Sequence, residues 1–134
     1  DIYLSEIDEE IIPYLVQSIE RVKARNISAK LNFFKSNEKN IGSDTLKFDR
    51  IIMREVFHHL NFPTEIFNSI KEHLSENGLL YIVETTKDIE ITNQRRCPQS
   101  TTRKKIIEFA TANGFQLLDH QQANQETMLK FRLK

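Results

Sequence analysis

Two adjacent histidines, His58 and His59, close the stretch "FDRIIMREVFHHL", just past the apolar run Ile51-Ile52-Met53. A neutral imidazole near pH 7 can take a proton from a hydroxyl, so either ring is a candidate general base at the mouth of an active site. Glu55 is a further candidate for the same task. Adjacent helical residues point about 100° apart, so only one ring is expected to face a substrate, and joint metal ligation is not expected. The ordinary alternative is a helix start in which one histidine packs and the other is solvated. Near the other end of the chain, Glu6 and Asp8 follow the short apolar run Ile2-Tyr3-Leu4. They are either acids at a strand end or solvated helix-start charges.

The elements that must position these groups can be read from periodicity. Ile2–Leu4 reads as a strand. Ile12, Leu15, Val16, Ile19 and Val22 recur at helical spacing, and Pro13 is compatible with that helix only in its first turn. Residues 29–34 and 48–53 read as strands, the second with the continuous apolar core of a strand buried on both faces. Pro63 and Thr64 open a helix with Ile66, Phe67, Ile70 and Leu74 on its buried stripe, and Asn77-Gly78 is expected to stop it. Residues 79–83 give a fourth strand ending at Glu84, residues 102–113 a last helix stopped by Gly114. Residues 115–118 and the alternating Leu129, Phe131, Leu133 form an antiparallel terminal pair around the polar loop "DHQQANQE".

Strands alternating with helices predict an α/β three-layer sandwich with a mainly parallel sheet. Ligands of such sheets sit at the carboxyl ends of the strands, which singles out Glu6, Asn37, the residues after Met53 beginning with Arg54, and Glu84.

Composition narrows the classes. The chain has 134 residues, 39% hydrophobic and 28% charged, which fits one folded domain over 1–134. Lys plus Arg equals Asp plus Glu at 19 each, so overall charge gives no argument for nucleic acid or membrane binding. The single cysteine, Cys97, excludes an intrachain disulfide and a Cys-rich metal site and suits a reducing, cytoplasmic setting. No apolar run approaches the roughly 18 residues needed to cross a bilayer. The segment "QRRCPQSTTRKK" gathers Arg95, Arg96, Arg103, Lys104 and Lys105. It fits an RNA or DNA contact but has no interleaved aromatics, and a solvated loop with a Ser/Thr cap explains it equally well.

Several stretches together resemble the class I S-adenosylmethionine-dependent methyltransferases over nearly the whole chain. "FDRIIMREVFHHL" is similar to their strand-four motif. "LSENGLLYIVE" is similar to their helix-turn-strand segment, with Glu76-Asn77 in place of Pro-Gly, and "YLSEID" to the end of strand two. "ANGFQLL" with the terminal strands resembles their last hairpin. The resemblance implies a Rossmann-like methyltransferase fold, S-adenosylmethionine as cofactor and a small-molecule acceptor. It implies that Glu6, with Asp8 second, holds the ribose diol, since one carboxylate can accept from both hydroxyls. Asn37 and Glu38 fall at the adenine position, and Arg54 at the cofactor side of strand four. "Met53-Arg54-Glu55-Val56-Phe57-His58" is similar to a segment that supplies a general base, which makes His58, and after it His59, the catalytic candidates.

The family's Gly-rich first motif has no counterpart here, because the three glycines stand at Gly42, Gly78 and Gly114. The sequence opens at Asp1 almost directly on an apolar run. The expectation is therefore a carboxyl-side portion of a methyltransferase domain without its first strand, and a gap between the strands at Ile2 and Phe48. The rivals are a non-catalytic methyltransferase-like scaffold and a nucleic-acid-binding module.

Overall fold

The computed structural model describes residues 1–23, 29–42, 45–88, 97–123 and 125–134. Six strands and three helices follow one another as β1 (Ile2–Glu6), α1 (Ile12–Lys23), β2 (Leu31–Lys35), β3 (Phe48–Arg54), α2 (Pro63–His73), β4 (Leu74–Glu84), α3 (Arg103–Ala112), β5 (Phe115–Ala123) and β6 (Glu126–Leu133), with a short 3₁₀ turn at Phe57–His59. They form two sheets. β1 and β2 pair in parallel, Ile2 with Leu31 through Glu6 with Lys35. The second sheet has the order β3-β4-β6-β5.

Within that second sheet β3–β4 is parallel, while β4–β6 and β6–β5 are antiparallel. The four-stranded sheet is thus mixed, where a mainly parallel one was expected. The terminal pair is antiparallel as predicted, but it extends to Ala123 and Glu126. Most of "DHQQANQE" is paired strand. Its polar side chains lie exposed from Asp119 to Ala123, so their composition reads as loop while their backbone completes a ladder.

The core of the second sheet explains which residues had to be apolar. Ile66, Phe67 and Ile70 of α2, Ile106 and Ala110 of α3, and Leu80, Ile82, Leu129 and Phe131 of the strands form one buried cluster. Phe67 is its centre, with ring centroids 5.1 Å from Phe109 of α3 and 5.5 Å from Phe115 of β5. The opposite face is open at Ile52, 66% exposed, because residues alternate sides along a strand and Met53 takes the buried side.

α2 ends at His73, four residues before the expected stop at Asn77. Leu74 is already extended (φ −73°, ψ 137°) and buried beside Phe48, so pairing with β3 wins over helix continuation. The register jumps from Phe48↔Leu74 to Arg50↔Leu79. Gly78 sits at this irregularity, not at a helix cap. A Cβ there would lie 2.9 Å from the Ser75 carbonyl oxygen and 3.0 Å from that of Phe48.

α3 starts where expected. The Thr102 hydroxyl accepts from the Lys105 N–H (3.3 Å), and an Asp88 carboxylate oxygen accepts from the Arg103 N–H (3.0 Å). Burial pushes the Asp88 carboxyl up, but hydrogen bonds from Arg103 and Thr86 and the Arg103 charge outweigh it and hold the group below its usual range. Gly114, at φ 87°, ends the element as predicted.

Candidate active site

Among the described residues β1 pairs with β2 and β3 with β4, and β1 and β3 do not pair with one another. Tyr3 of β1 and Phe48 of β3 bring their rings to 5.5 Å. Between the strands lies a cavity of about 450 Å³. Four consecutive residues of β1, Tyr3 to Glu6, and four of β3, Arg50 to Met53, line it. Alternate residues of a strand point to opposite faces, so a wall of consecutive residues means that the cavity opens on strand edges.

The carboxyl end of this cavity gathers most of the residues marked in the sequence. Glu6, Asn37, Glu38 and His59 all line it. Glu6 is half-buried at the end of β1. Its Oε1 accepts from the N–H groups of Ile7 (2.8 Å) and Asp8 (3.1 Å), which fixes the carboxylate at the strand end. Asn37 folds back into a turn, its Oδ1 accepting from the Lys39 N–H at 2.8 Å. Glu38 Oε1 accepts from the Asn61 amide at 3.2 Å, tying the loop after β2 to the loop before α2. Leu60, Val56 and Ile41 supply apolar wall beside them.

The loop after β2 depends on Gly42, at φ 90°. An added Cβ would stand 2.1 Å from the Lys35 carbonyl oxygen. Gly42→Ala combines a left-handed backbone with that clash and is expected to cost at least about 2 kcal/mol, read as a lower denaturation midpoint. An unchanged midpoint would mean that the loop sits elsewhere.

Five marked residues, Asp8, Arg54, Glu55, His58 and Glu84, do not line the cavity. Asp8 is exposed and its Oδ1 accepts from the Glu10 N–H (2.9 Å). Arg54 points to β6, in an ion pair with Glu126 at 2.7 Å. His58 is directed inward: its Nδ1 lies 2.5 Å from Glu84 Oε2, and both side chains are only 2% exposed. Glu84 Oε1 also accepts from the Phe57 N–H at 2.7 Å.

The two histidines occupy a 3₁₀ turn, not the start of α2. Glu55 just before it has φ 54°, unusual for a residue with a side chain. Its Oε1 accepts from both the N–H (2.6 Å) and the hydroxyl (2.9 Å) of Thr85, which hold this bend. The turn separates the roles of the two rings while leaving them in contact. His59 is exposed toward the cavity, the side chain of His58 is enclosed, and their centroids are 4.0 Å apart. The two rings do not diverge as in an α-helix, since they stand in a 3₁₀ turn and touch, yet only His59 lines the cavity.

Sequence reasoning marked Glu84 only as a strand end and missed its pairing with His58. The regular alternation of β4 was the available signal, since it puts Glu84 on the buried side with Leu80 and Ile82. In the basic segment, Arg95 and Arg96 lie outside the described residues. Arg103 and Lys104 are within reach of Asp88 (3.6 Å) and Glu108 (3.8 Å). No helix among the described residues is long and apolar enough to cross a membrane.

The sequence family described as a methyltransferase domain matches residues 2–122. No curated protein matches the sequence significantly. Among solved structures, a SAM-dependent methyltransferase from Aquifex aeolicus superposes with a TM-score of 0.81 at 17% identity, over 98% of this chain and 67% of that one. The glycopeptide N-methyltransferase MtfA complexed with S-adenosyl-L-methionine superposes with a TM-score of 0.73 at 8% identity, over 98% and 72%. At these identities the likeness establishes the fold.

Proposed function

Because this chain belongs to the methyltransferase-domain family, we propose that it binds S-adenosylmethionine across the carboxyl ends of β1, β2 and β3 and serves methyl transfer to a small-molecule acceptor. The observation that carries this reading is the convergence of Glu6, Asn37, Glu38 and His59 on one cavity. Its volume lies within the range of small-molecule sites, about 300–1,000 Å³.

The donor set fits the group. Glu6 uses Oε1 for its own turn and keeps carboxylate lone pairs for a ribose diol. Asn37 Oδ1 has a second lone pair for an adenine amino group, with Glu38 beside it. Leu60 and Val56 offer apolar surface to a base. Asp8 and Arg54, turned away as described, would support this site only indirectly. Arg50 is the only Lys or Arg among the described residues lining the cavity.

S-adenosylmethionine, when bound, supplies a methyl group on a sulfonium sulfur, open to attack by a nucleophile in line. This chain's part is positioning, exclusion of water and removal of a proton from the acceptor. Of the two base candidates, His59 faces the cavity and is the one we assign to the proton. His58, enclosed with Glu84, packs against His59 and steadies it. The fold shared with the glycopeptide N-methyltransferase MtfA favours a small or peptide-like acceptor over nucleic acid, and no observation favours the scaffold reading.

We propose that one further strand stands between β1 and β3, which among the described residues pair only with β2 and β4. It would satisfy the N–H and C=O groups of both inner edges, and the resulting order would match the family's central strand. A reducing compartment such as the cytoplasm suits the single thiol.

Calorimetric titration of S-adenosylhomocysteine into the full-length protein tests the cofactor reading. Losing two charge-assisted hydrogen bonds in Glu6→Ala is expected to weaken binding by about 100-fold, roughly 3 kcal/mol. Asp8→Ala is expected to change it less than about 3-fold. Equal affinity of wild type and Glu6→Ala would sink the assignment.

A further inference from the structure

The contact between the two histidines extends to a third group. Ligand atoms of His58, His59 and Cys97 all lie within 4.8 Å of one another. Cys97 is half-buried and its thiol reaches the Gln99 side-chain oxygen at 3.1 Å, a local bond that a metal could replace. We propose that these three side chains form a binding site for a soft divalent cation of the zinc type, at the rim of the cavity.

The Glu84 carboxyl behind His58 prepares that ring for a metal. His58 Nδ1 is engaged by the buried Glu84 carboxyl, which directs the other ring nitrogen, Nε2, to serve as the lone-pair donor. A carboxylate behind a ligating imidazole fixes its tautomer and orientation and raises its basicity, the usual support of zinc histidines. Glu84 is itself held by the Phe57 N–H. His58 is therefore a preset ligand, while His59, exposed, and Cys97, half-buried, are free to rotate onto an ion.

Distances are compatible. Zn–N of about 2.0 Å and Zn–S of about 2.3 Å at tetrahedral angles place ligand atoms roughly 3.3–3.5 Å apart. The required closure is on the order of 1 Å, within reach of side-chain rotation. One thiolate and two imidazoles select zinc, cobalt or copper over magnesium and calcium, which prefer oxygen. Binding releases the Cys97 thiol proton to solvent, and the fourth position stays open for water or a ligand oxygen. The acidic group Glu55, His58 and Glu84 is the lesser candidate, because its atoms are already spent on Thr85, Phe57 and one another. His59 cannot ligate a metal and accept a proton at once, so the metal-bound and base-competent states of this ring are alternatives, and the titration below reads the metal site without reference to methyl transfer.

The test is titration of the reduced, metal-free full-length protein with Co²⁺, followed by displacement with Zn²⁺. One equivalent of Co²⁺ is expected to give a thiolate-to-cobalt charge-transfer band in the near ultraviolet, bleached by Zn²⁺. Cys97→Ser is expected to lose the band and to weaken Zn²⁺ binding by about 100-fold, and His59→Ala by about 10-fold or more. His120→Ala, on the exposed strand β5, is expected to change neither. Co²⁺ binding without a thiolate band, no binding, or Zn²⁺ affinity unchanged in both Cys97→Ser and His59→Ala would overturn the site. Both variants alter exposed or half-buried side chains, and their folding is checked by the thermal midpoint.

Discussion

Phe67→Ala is expected to lower the stability of the protein by about 3–5 kcal/mol. Phe67 is completely buried, and its ring meets those of Phe57, Phe109 and Phe115 edge-on at 6.1, 5.1 and 5.5 Å. Each such pair adds about 0.5–1.5 kcal/mol beyond the burial of area. The ring joins α2 to α3, β5 and the 3₁₀ turn, so its loss opens a cavity that no single neighbour can fill. Denaturant unfolding of the full-length protein measures it, with Tyr14→Ala, 71% exposed on α1, expected to stay within about 0.5 kcal/mol. A loss below about 1 kcal/mol for Phe67→Ala would mean that the two helices do not meet over this ring.

The second large effect concerns the buried pair. His58→Ala leaves Glu84 enclosed with the Phe57 N–H as its remaining donor among those described above, and is expected to cost about 3 kcal/mol. The double substitution His58→Ala with Glu84→Ala is expected to cost less than the sum of the two single changes. Much of each single penalty is the stranded partner. Additivity within about 0.5 kcal/mol would show that the two groups do not interact in solution.

These two predictions rest on parts of the molecule that differ in how far the sequence discloses them. Phe67 was legible: its spacing with Ile66 and Ile70 marks a buried helical stripe, which is there, while Leu74, read with it, is buried on β4 instead. The strand ends were legible too, because apolar runs stop at Glu6 and Glu84, and the α/β order follows from their alternation with helices. What was not legible came from tertiary competition. Leu74 left its helix for a strand beside Phe48, against the local stop signal at Asn77-Gly78. The polar run from Asp119 to Ala123 became strand because β6 offered a ladder, a gain that composition does not express. The Glu84–His58 pair spans 26 residues of sequence and could be found only once β3 and β4 were in register.

The site divides in the same way. Glu6, Asn37 and Glu38 were marked by their places after strands and do line one cavity. The order of the histidines was not readable, because a left-handed Glu55 turns the chain between β3 and α2 and so decides which ring faces in. It is this bend, braced by Thr85, that places His59 rather than His58 on the cavity wall.

The central claim is that the cofactor lies at the carboxyl ends of β1, β2 and β3. Amide hydrogen exchange of the full-length protein, with and without saturating S-adenosylhomocysteine, reads this most directly. Slowed exchange is expected at residues 6–8, 36–41 and 55–61, with no change along the β5–β6 hairpin. Binding without protection at those three segments, or no binding by the folded full-length protein, would contradict it.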